Sequence, residues 1–278
     1  MAKRVRYMKK TLNVLLTGSA SGIGAKVAEA FAAEGHGVYG IDIKETKIEG
    51  VRSFTADVRD AAALDGVRAE LEAEGVLLDV IISVAGVHEM ISLVEGEPSH
   101  MERLIDINLL GPMNLCRIFH PLLSPTGRVI LVTSEVATLA PLPFNGLYTV
   151  SKNALEAYAQ ALRQELGLLG QRVITVRPGA IATPLQDGSI KDTERLAQST
   201  GLFSRQASRF SGIARRFMGT PLPPERLART VLRAAKAKRP RLAYNKHRSL
   251  GLLLLNLLPL RLQCAVIKLL LGRSGKKG

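Results

Sequence analysis

Asn13-Val14-Leu15-Leu16-Thr17-Gly18-Ser19-Ala20-Ser21-Gly22-Ile23-Gly24 is the stretch on which the fold of this chain turns. A short apolar run meets a glycine-rich turn, and Ala25 to Ala33 then reads as a helix with Val27, Ala30 and Phe31 along one side. Strand, glycine turn and helix, in that order, give a glycine pattern chemical meaning. Glycine lets the backbone turn tightly and approach a pyrophosphate. The helix N-terminus presents free N–H groups and the positive end of its dipole to the phosphates. Gly18, Ser21, Gly22, Ile23 and Gly24 are therefore the first candidate cofactor-binding residues.

Outward from this turn, the next strand, Gly37 to Ile41, ends at Asp42. A carboxylate there can accept hydrogen bonds from both adenosine ribose hydroxyls and would repel a 2′-phosphate, which selects NAD over NADP. Ser19, Ala20 and Ser21 add no cation to hold such a phosphate, although Lys44 stands two residues beyond Asp42. Further strands are expected at Ser53–Ala56, Val80–Val84, Arg128–Val132 and Arg172–Val176. Helices are expected at about 61–74, 99–122 and 148–169. Apolar strands alternating with helices predict an α/β fold, a doubly wound parallel sheet covered on both faces. Ligands in such sheets bind beyond the carboxyl ends of the strands. Asp57 and Val58, Ala85 and Gly86, Ser134, and Pro178 and Gly179 all fall at those ends.

The 278 residues, 46% hydrophobic and 22% charged, describe a folded protein with ample length for a core. Cys116 and Cys264 lie far apart without metal-ligand spacing, so no metal is expected. Reduced thiols point to the cytoplasm. The basic start, Met1 to Lys10, runs into the first strand rather than into the apolar core of a signal peptide. The net charge of +14 is lopsided: residues 1–184 carry 18 Lys+Arg against 20 Asp+Glu, and residues 185–278 carry 20 against 4. The basic excess thus belongs to the last third of the chain.

That last third also changes character. Residues 185–224 are polar and basic, with Phe203, Phe210, Ile213, Phe217 and Met218 among the arginines. They read as a mobile loop or lid with one or two short amphipathic helices. Pro223-Pro224 introduces a helix from Glu225 to Lys238. From Leu250 to Leu271 the chain is almost wholly apolar, with Lys246, His247 and Arg248 before it and Arg273, Lys276 and Lys277 after. Arg261 would cost about 2.5–3.5 kcal/mol near mid-membrane, and Pro259 breaks the helix beside it. Two short helices meeting at Pro259 are expected instead of a span. They either cover the substrate pocket or a subunit contact, or lie in a lipid interface with the cations toward anionic headgroups.

Tyr148 and Lys152 sit four residues apart on one helix face. A cation beside a phenol favours the phenolate and lowers a pKa otherwise near about 10. Together with Thr17-Gly18-x-x-x-Gly22-x-Gly24, Ala85-Gly86, Asn108, Ser134 and Pro178-Gly179-x-x-x-Thr183, this pair resembles the short-chain dehydrogenase/reductase family over about residues 11–184. The remainder is more loosely similar to members acting on steroids, retinoids and other lipophilic alcohols. Two positions depart from the family pattern: Ser83-Val84 stands where two asparagines are usual, and Glu135 where a second serine often follows Ser134. Val84 thereby forfeits a side-chain hydrogen bond that braces the sheet.

The resemblance implies a Rossmann-like domain over 1–245, with the lid at about 185–224 and residues 246–278 as its helical extension. It implies Tyr148 as general acid/base, Lys152 holding its pKa low and bonding the nicotinamide ribose, and Ser134 polarising the reacting oxygen. Asn108 would brace a water linking Lys152 to solvent. Pro178 and Gly179 would shape the backbone against the nicotinamide, Ile181 and Thr183 would bind its carboxamide, and Asp57 and Val58 would line the adenine slot. His88 either reaches the substrate mouth or is a surface or packed histidine. A homodimer or homotetramer is implied, often through the helices carrying Asn108 and Tyr148.

The leading expectation is an NAD-dependent oxidoreductase of a bulky lipophilic secondary alcohol or ketone, a small-molecule substrate with a hydroxysteroid first among candidates. The alternatives are a 3-oxoacyl thioester reductase and a non-catalytic NAD-binding regulator. The basic tail makes a nucleic-acid partner thinkable, but no nucleic-acid-binding motif is readable. The protein is expected in the cytoplasm, with peripheral membrane contact through 246–278 as the further option.

Overall fold

The computed structural model describes residues 11–218 and 220–272. The basic ends, Met1–Lys10 and the stretch with Arg273, Lys276 and Lys277, lie outside the described residues. The opening motif folds as read: β1 (Asn13–Thr17) runs into the glycine turn and α1 (Gly22–Ala32). Then follow β2 (Gly37–Asp42), β3 (Val51–Thr55), α2 (Ala61–Ala73) and β4 (Leu78–Ser83). The expected helix at 99–122 is broken into α3 (Pro98–Ile105), a π-helical turn (Asp106–Leu110) and α4 (Gly111–Phe119). β5 (Leu123–Val132), α5 (Gly146–Leu168) and β6 (Arg172–Pro178) complete the region of family resemblance.

The seven strands are all parallel, in the order β3-β2-β1-β4-β5-β6-β7. This is the doubly wound architecture expected. β7 (Ala243–Lys246) was not foreseen. Its four residues are only half-buried or exposed, so it lacks the apolar run that marks the inner strands. It straddles the expected boundary at residue 245, and the extension therefore starts from the sheet's edge.

Alternation along β1 sorts the core into two layers. Leu15 packs with Ile81, Leu115, Phe119 and Leu155 on the side of α2, α4 and α5. Val14 and Leu16 pack with Val27, Phe31, Leu227 and Val231 on the side of α1 and α8 (Pro224–Lys236). Successive side chains of a strand face opposite ways, which is why an unbroken apolar run serves both layers.

The segment expected as a mobile loop or lid with one or two short amphipathic helices forms two longer helices, α6 (Pro184–Ser199) and α7 (Ser204–Met218). Their apolar residues are too sparse for a strong pattern but converge locally: Leu196, Ala207 and Phe210 pack with Phe144 and Leu271. Glu95 fastens the turn between them, accepting bonds from the N–H groups of Gly201 (2.9 Å) and Leu202 (3.0 Å) and from the Thr200 hydroxyl. The apolar tail forms α9 (Leu250–Asn256) and α10 (Leu260–Gly272), parted at Pro259 as expected. Among the described residues, no helix is long and apolar enough to cross a membrane.

Candidate active site

The sheet order reverses between β1 and β4, and the crevice beyond their carboxyl ends is a ligand site in folds of this kind. Gly18 opens it with φ +74°, and a Cβ there would lie 2.9 Å from the Ala85 nitrogen. A Cβ on Gly24 would lie 1.9 Å from the Gly18 carbonyl oxygen. Only glycine lets the turn fold beneath the first turn of α1. The Thr17 hydroxyl accepts from the N–H groups of Val84 and Ala85, both at 3.2 Å, so β1 is tied to the end of β4 although Val84 supplies no polar side chain.

Asp42 ends β2 with its carboxylate fixed: Oδ2 accepts from the Ala20 N–H at 3.0 Å and Oδ1 from the Lys44 N–H at 3.1 Å. The groove, about 280 Å³, is lined by Gly18, Ser21, Gly22, Ile23, Gly24, Asp42, Asp57, Val58, Ala85, Gly86 and Thr183. Two arginines also border it. Arg59 grips Asp57, whose carboxyl it holds below its ordinary range, and Arg103 pairs with Glu89. A backbone cradle that any side chain would fill, with a carboxylate held at the end of the neighbouring strand, fits a nicotinamide dinucleotide.

A second cavity of about 230 Å³ adjoins the groove, sharing Ile23, Gly86 and Thr183 with it. Ser134, Tyr148, Lys152, Pro178, Gly179 and Ile181 line it. Of the residues singled out from sequence, Asn108 alone lines neither. It is fully buried on the π-helical turn, accepting from the Val87 N–H (2.8 Å) and donating to the Val87 carbonyl (2.9 Å) and the Ser151 hydroxyl (3.2 Å). Its side chain joins the loop after β4 to α5, so its amide is spent on positioning. A Cβ on Gly86 would reach both Asn108 Oδ1 (3.1 Å) and Lys152 Nζ (3.5 Å), which shows how closely these residues converge.

The electrostatics reverse one expectation. Lys152 was expected to draw Tyr148 down, yet burial pushes the phenol up to about 12. A hydrogen bond with Ser134 opposes the rise and the Glu135 carboxylate adds to it. Lys152 is itself pushed down to about 8 by burial, and its Nζ lies 5.8 Å from the ring centroid. Desolvation is the largest cause of both shifts.

His88 proves to be both packed and pocket-lining. Its ring lies 4.4 Å from that of Tyr148, and Nε2 pairs with Asn145 Oδ1 at 3.0 Å. Burial pushes its pKa down to about 4, so it is neutral at ordinary pH. Phe144, which precedes Asn145, is held at φ 64°, an uncommon conformation for a bulky side chain beside a candidate site.

Sequence reasoning passed over the function of Glu135. Buried next to Ser134, it accepts the Ser249 N–H at 2.6 Å and so fastens the start of α9 to the loop after β5. Arg248 donates to the Thr138 hydroxyl (3.1 Å) and the Ala140 N–H to Asn256 Oδ1 (2.7 Å) in the same seam. Gly179 belongs here too, since a Cβ on it would stand 1.9 Å from the His247 carbonyl oxygen. The one hint in the sequence was the acidic residue in a place where serine is common.

Comparison with known proteins follows this geometry. The family model described as short chain dehydrogenase matches residues 12–194. A probable oxidoreductase of Mycobacterium tuberculosis, EphD, is 29% identical over 247 residues, covering 84% of this chain but only 41% of its own length. A 3-ketodihydrosphingosine reductase of Bacteroides thetaiotaomicron is 28% identical over 176 residues, covering 63% of this chain and 65% of its own. The chain thus spans less than two thirds of either relative. A short-chain dehydrogenase of Streptomyces avermitilis superposes with a TM-score of 0.72 at 23% identity, covering 86% of this chain and 89% of the other, which speaks for the fold.

Proposed function

The chain belongs to the short-chain dehydrogenase family, and from that premise we propose that it is an NAD-dependent oxidoreductase interconverting a lipophilic secondary alcohol and its ketone, with a hydroxysteroid the leading candidate. The observation that carries the reading is Tyr148 meeting Ser134 and Lys152 in a pocket whose remaining wall is largely apolar. A dinucleotide held by the groove, with Pro178, Gly179, Ile181 and Thr183 toward its nicotinamide end, would supply hydride exchange at the carbinol carbon.

The chain's own groups do the rest. Tyr148 gives its proton to the carbonyl oxygen in reduction and takes one from the hydroxyl in oxidation. Ser134 donates a hydrogen bond to the same oxygen, stabilising the charge that develops there. Lys152, charged below about pH 8, supplies the positive field behind the phenol. Asn108 holds the loop bearing Gly86 and Val87 against α5 and thereby fixes where Tyr148 stands. Asp42 supports NAD, because its fixed carboxylate would repel a 2′-phosphate. Residues 246–278 act in this reading as an extension of the one catalytic domain, and a homodimer or homotetramer through the helical segments carrying Asn108 and Tyr148 belongs to it.

Peripheral lipid contact belongs to the same proposal. Leu250, Leu257 and Leu260 are 69%, 79% and 69% exposed on α9 and around the break before α10. From Arg226 to the end the sequence holds 14 Lys+Arg and no Asp or Glu. An apolar face in a cationic region suits an anionic lipid surface.

Initial rates with NADH and NADPH across ketones graded from polar to apolar test the reading. Turnover of steroid or other bulky lipophilic ketones with NADH supports it. Strong turnover of short polar ketones alone, or NADPH bound far more tightly than NADH, would overturn it; the latter favours the 3-oxoacyl thioester reductase.

A further inference from the structure

Behind the catalytic pocket lies a second chamber that the chemistry above leaves unused. It measures about 620 Å³, is open to the surface on one side, and is bordered by α7, α9, α10 and the turn at Leu142-Pro143. Leu255, Leu258, Val266 and Ile267 are typical of its lining, which among the described residues contains no charged side chain. Leu142, Phe210 and Leu252 line this chamber and the catalytic pocket alike, so the two adjoin across these three side chains. On the far side, Leu254, Leu257 and Leu270 belong both to its wall and to the exposed leucine face of the tail.

Ordered water needs two to four polar partners, which such walls do not offer, whereas hydrocarbon gains by leaving water for them. The chamber is thus suited to carbon, and it lies on the path away from the reacting centre. Leu142, Phe210 and Leu252 stand where the two cavities adjoin, and a flexible chain can pass such side chains with less displacement than a fused ring needs.

We propose that the chamber is a hydrocarbon-chain site: the aliphatic tail of a substrate whose reacting carbon stands at Tyr148 runs past Phe210 and Leu252 into the space between α7, α9 and α10. This rests on the reading of the catalytic pocket as a lipophilic alcohol or ketone site and narrows it. Substrates with a flexible chain are favoured, and a ring system held at Tyr148 reaches the chamber only through an aliphatic side chain. The leucine face offers the chain a route in from a lipid surface.

Calorimetric binding of homologous methyl ketones, from butanone to tridecanone, to the full chain without cofactor tests this directly. Affinity should rise roughly fourfold per added methylene once the chain is long enough to pass the junction. Ile267→Trp fills the chamber and should flatten that rise for the long members while leaving the short ones unchanged. Leu255→Phe gives a milder filling should the first variant fold poorly. An affinity independent of chain length in the unaltered protein, or an unchanged slope in the folded variants, would overturn the proposal. A flat slope alongside intact ketone turnover breaks the chamber alone. A steep slope without turnover of any ketone breaks the oxidoreductase reading and leaves the chamber standing.

Discussion

The dinucleotide groove and the pocket beside it share Ile23, Gly86 and Thr183, yet they are built by different means. The groove is a matter of backbone: glycines at contact distance from other main chain, a carboxylate pinned by two N–H groups, and a hydroxyl tying β1 to β4. The pocket is a matter of side chains gathered from distant segments, with α7, α9 and the loop after β5 each supplying part of its wall. Backbone-built sites tolerate almost no change at a few positions. Sites built from side chains tolerate more change, so in the proposed reading the groove fixes the cofactor, while the pocket wall around Ser134, Tyr148 and Lys152 fixes which molecule reacts.

The sharpest way to break that comparison is Gly24→Ala. With a Cβ placed 1.9 Å from the Gly18 carbonyl oxygen the turn must move. Overpacking of up to about 3 kcal/mol corresponds to a loss of dinucleotide affinity of about 100-fold. Fluorescence titration with NADH measures it, and near-normal binding would show that the turn is less constrained than its geometry. Asp42→Ala comes next. Loss of hydrogen bonds to a charged group, about 1.5 kcal/mol at the low end, should shift the NADH-to-NADPH preference roughly tenfold toward NADPH. Titration with both cofactors reads that shift.

Glu135→Ala addresses the other region. The Ser249 N–H loses its acceptor and the seam to α9 loosens, at about 1 kcal/mol. The KM for a lipophilic ketone should rise about fivefold while NADH affinity holds. An equal change in both would make Glu135 part of the groove instead.

The smallest effect is on pH. Lys152, lowered by burial to about 8, keeps its charge below that value, and Tyr148, raised to about 12, keeps its proton for reduction. The reduction rate should therefore hold a plateau at neutral pH and halve near pH 8. In oxidation the phenol must give up its proton first, so that rate should climb as pH rises.

The same contrast explains what could be read from the chain in advance. Gly18, Gly22, Gly24, Asp42, Ala85 and Gly86 were legible because each carries a local backbone or charge requirement at fixed spacing. The paired spacing of Tyr148 and Lys152 was legible for the same reason, though its pKa direction was not. Spacing places the ammonium on the right face, but burial decides the sign, and burial is a property of the whole fold. The full length of α6 and α7, where only one or two short helices were expected, was not legible because Leu196, Ala207 and Phe210 find their partners in Phe144 and Leu271, far away in sequence. β7 escaped notice because an edge strand needs no apolar run. The grip of Glu135 on Ser249 spans 114 residues, a separation across which no local pattern operates.

The central claim rests on Tyr148, and Tyr148→Phe tests it with two readings on one preparation: turnover of a lipophilic ketone with NADH, and NADH affinity. General acid catalysis contributes about 10²- to 10⁴-fold. The account predicts a loss of turnover of that size with NADH affinity unchanged. Turnover that survives the substitution would contradict it.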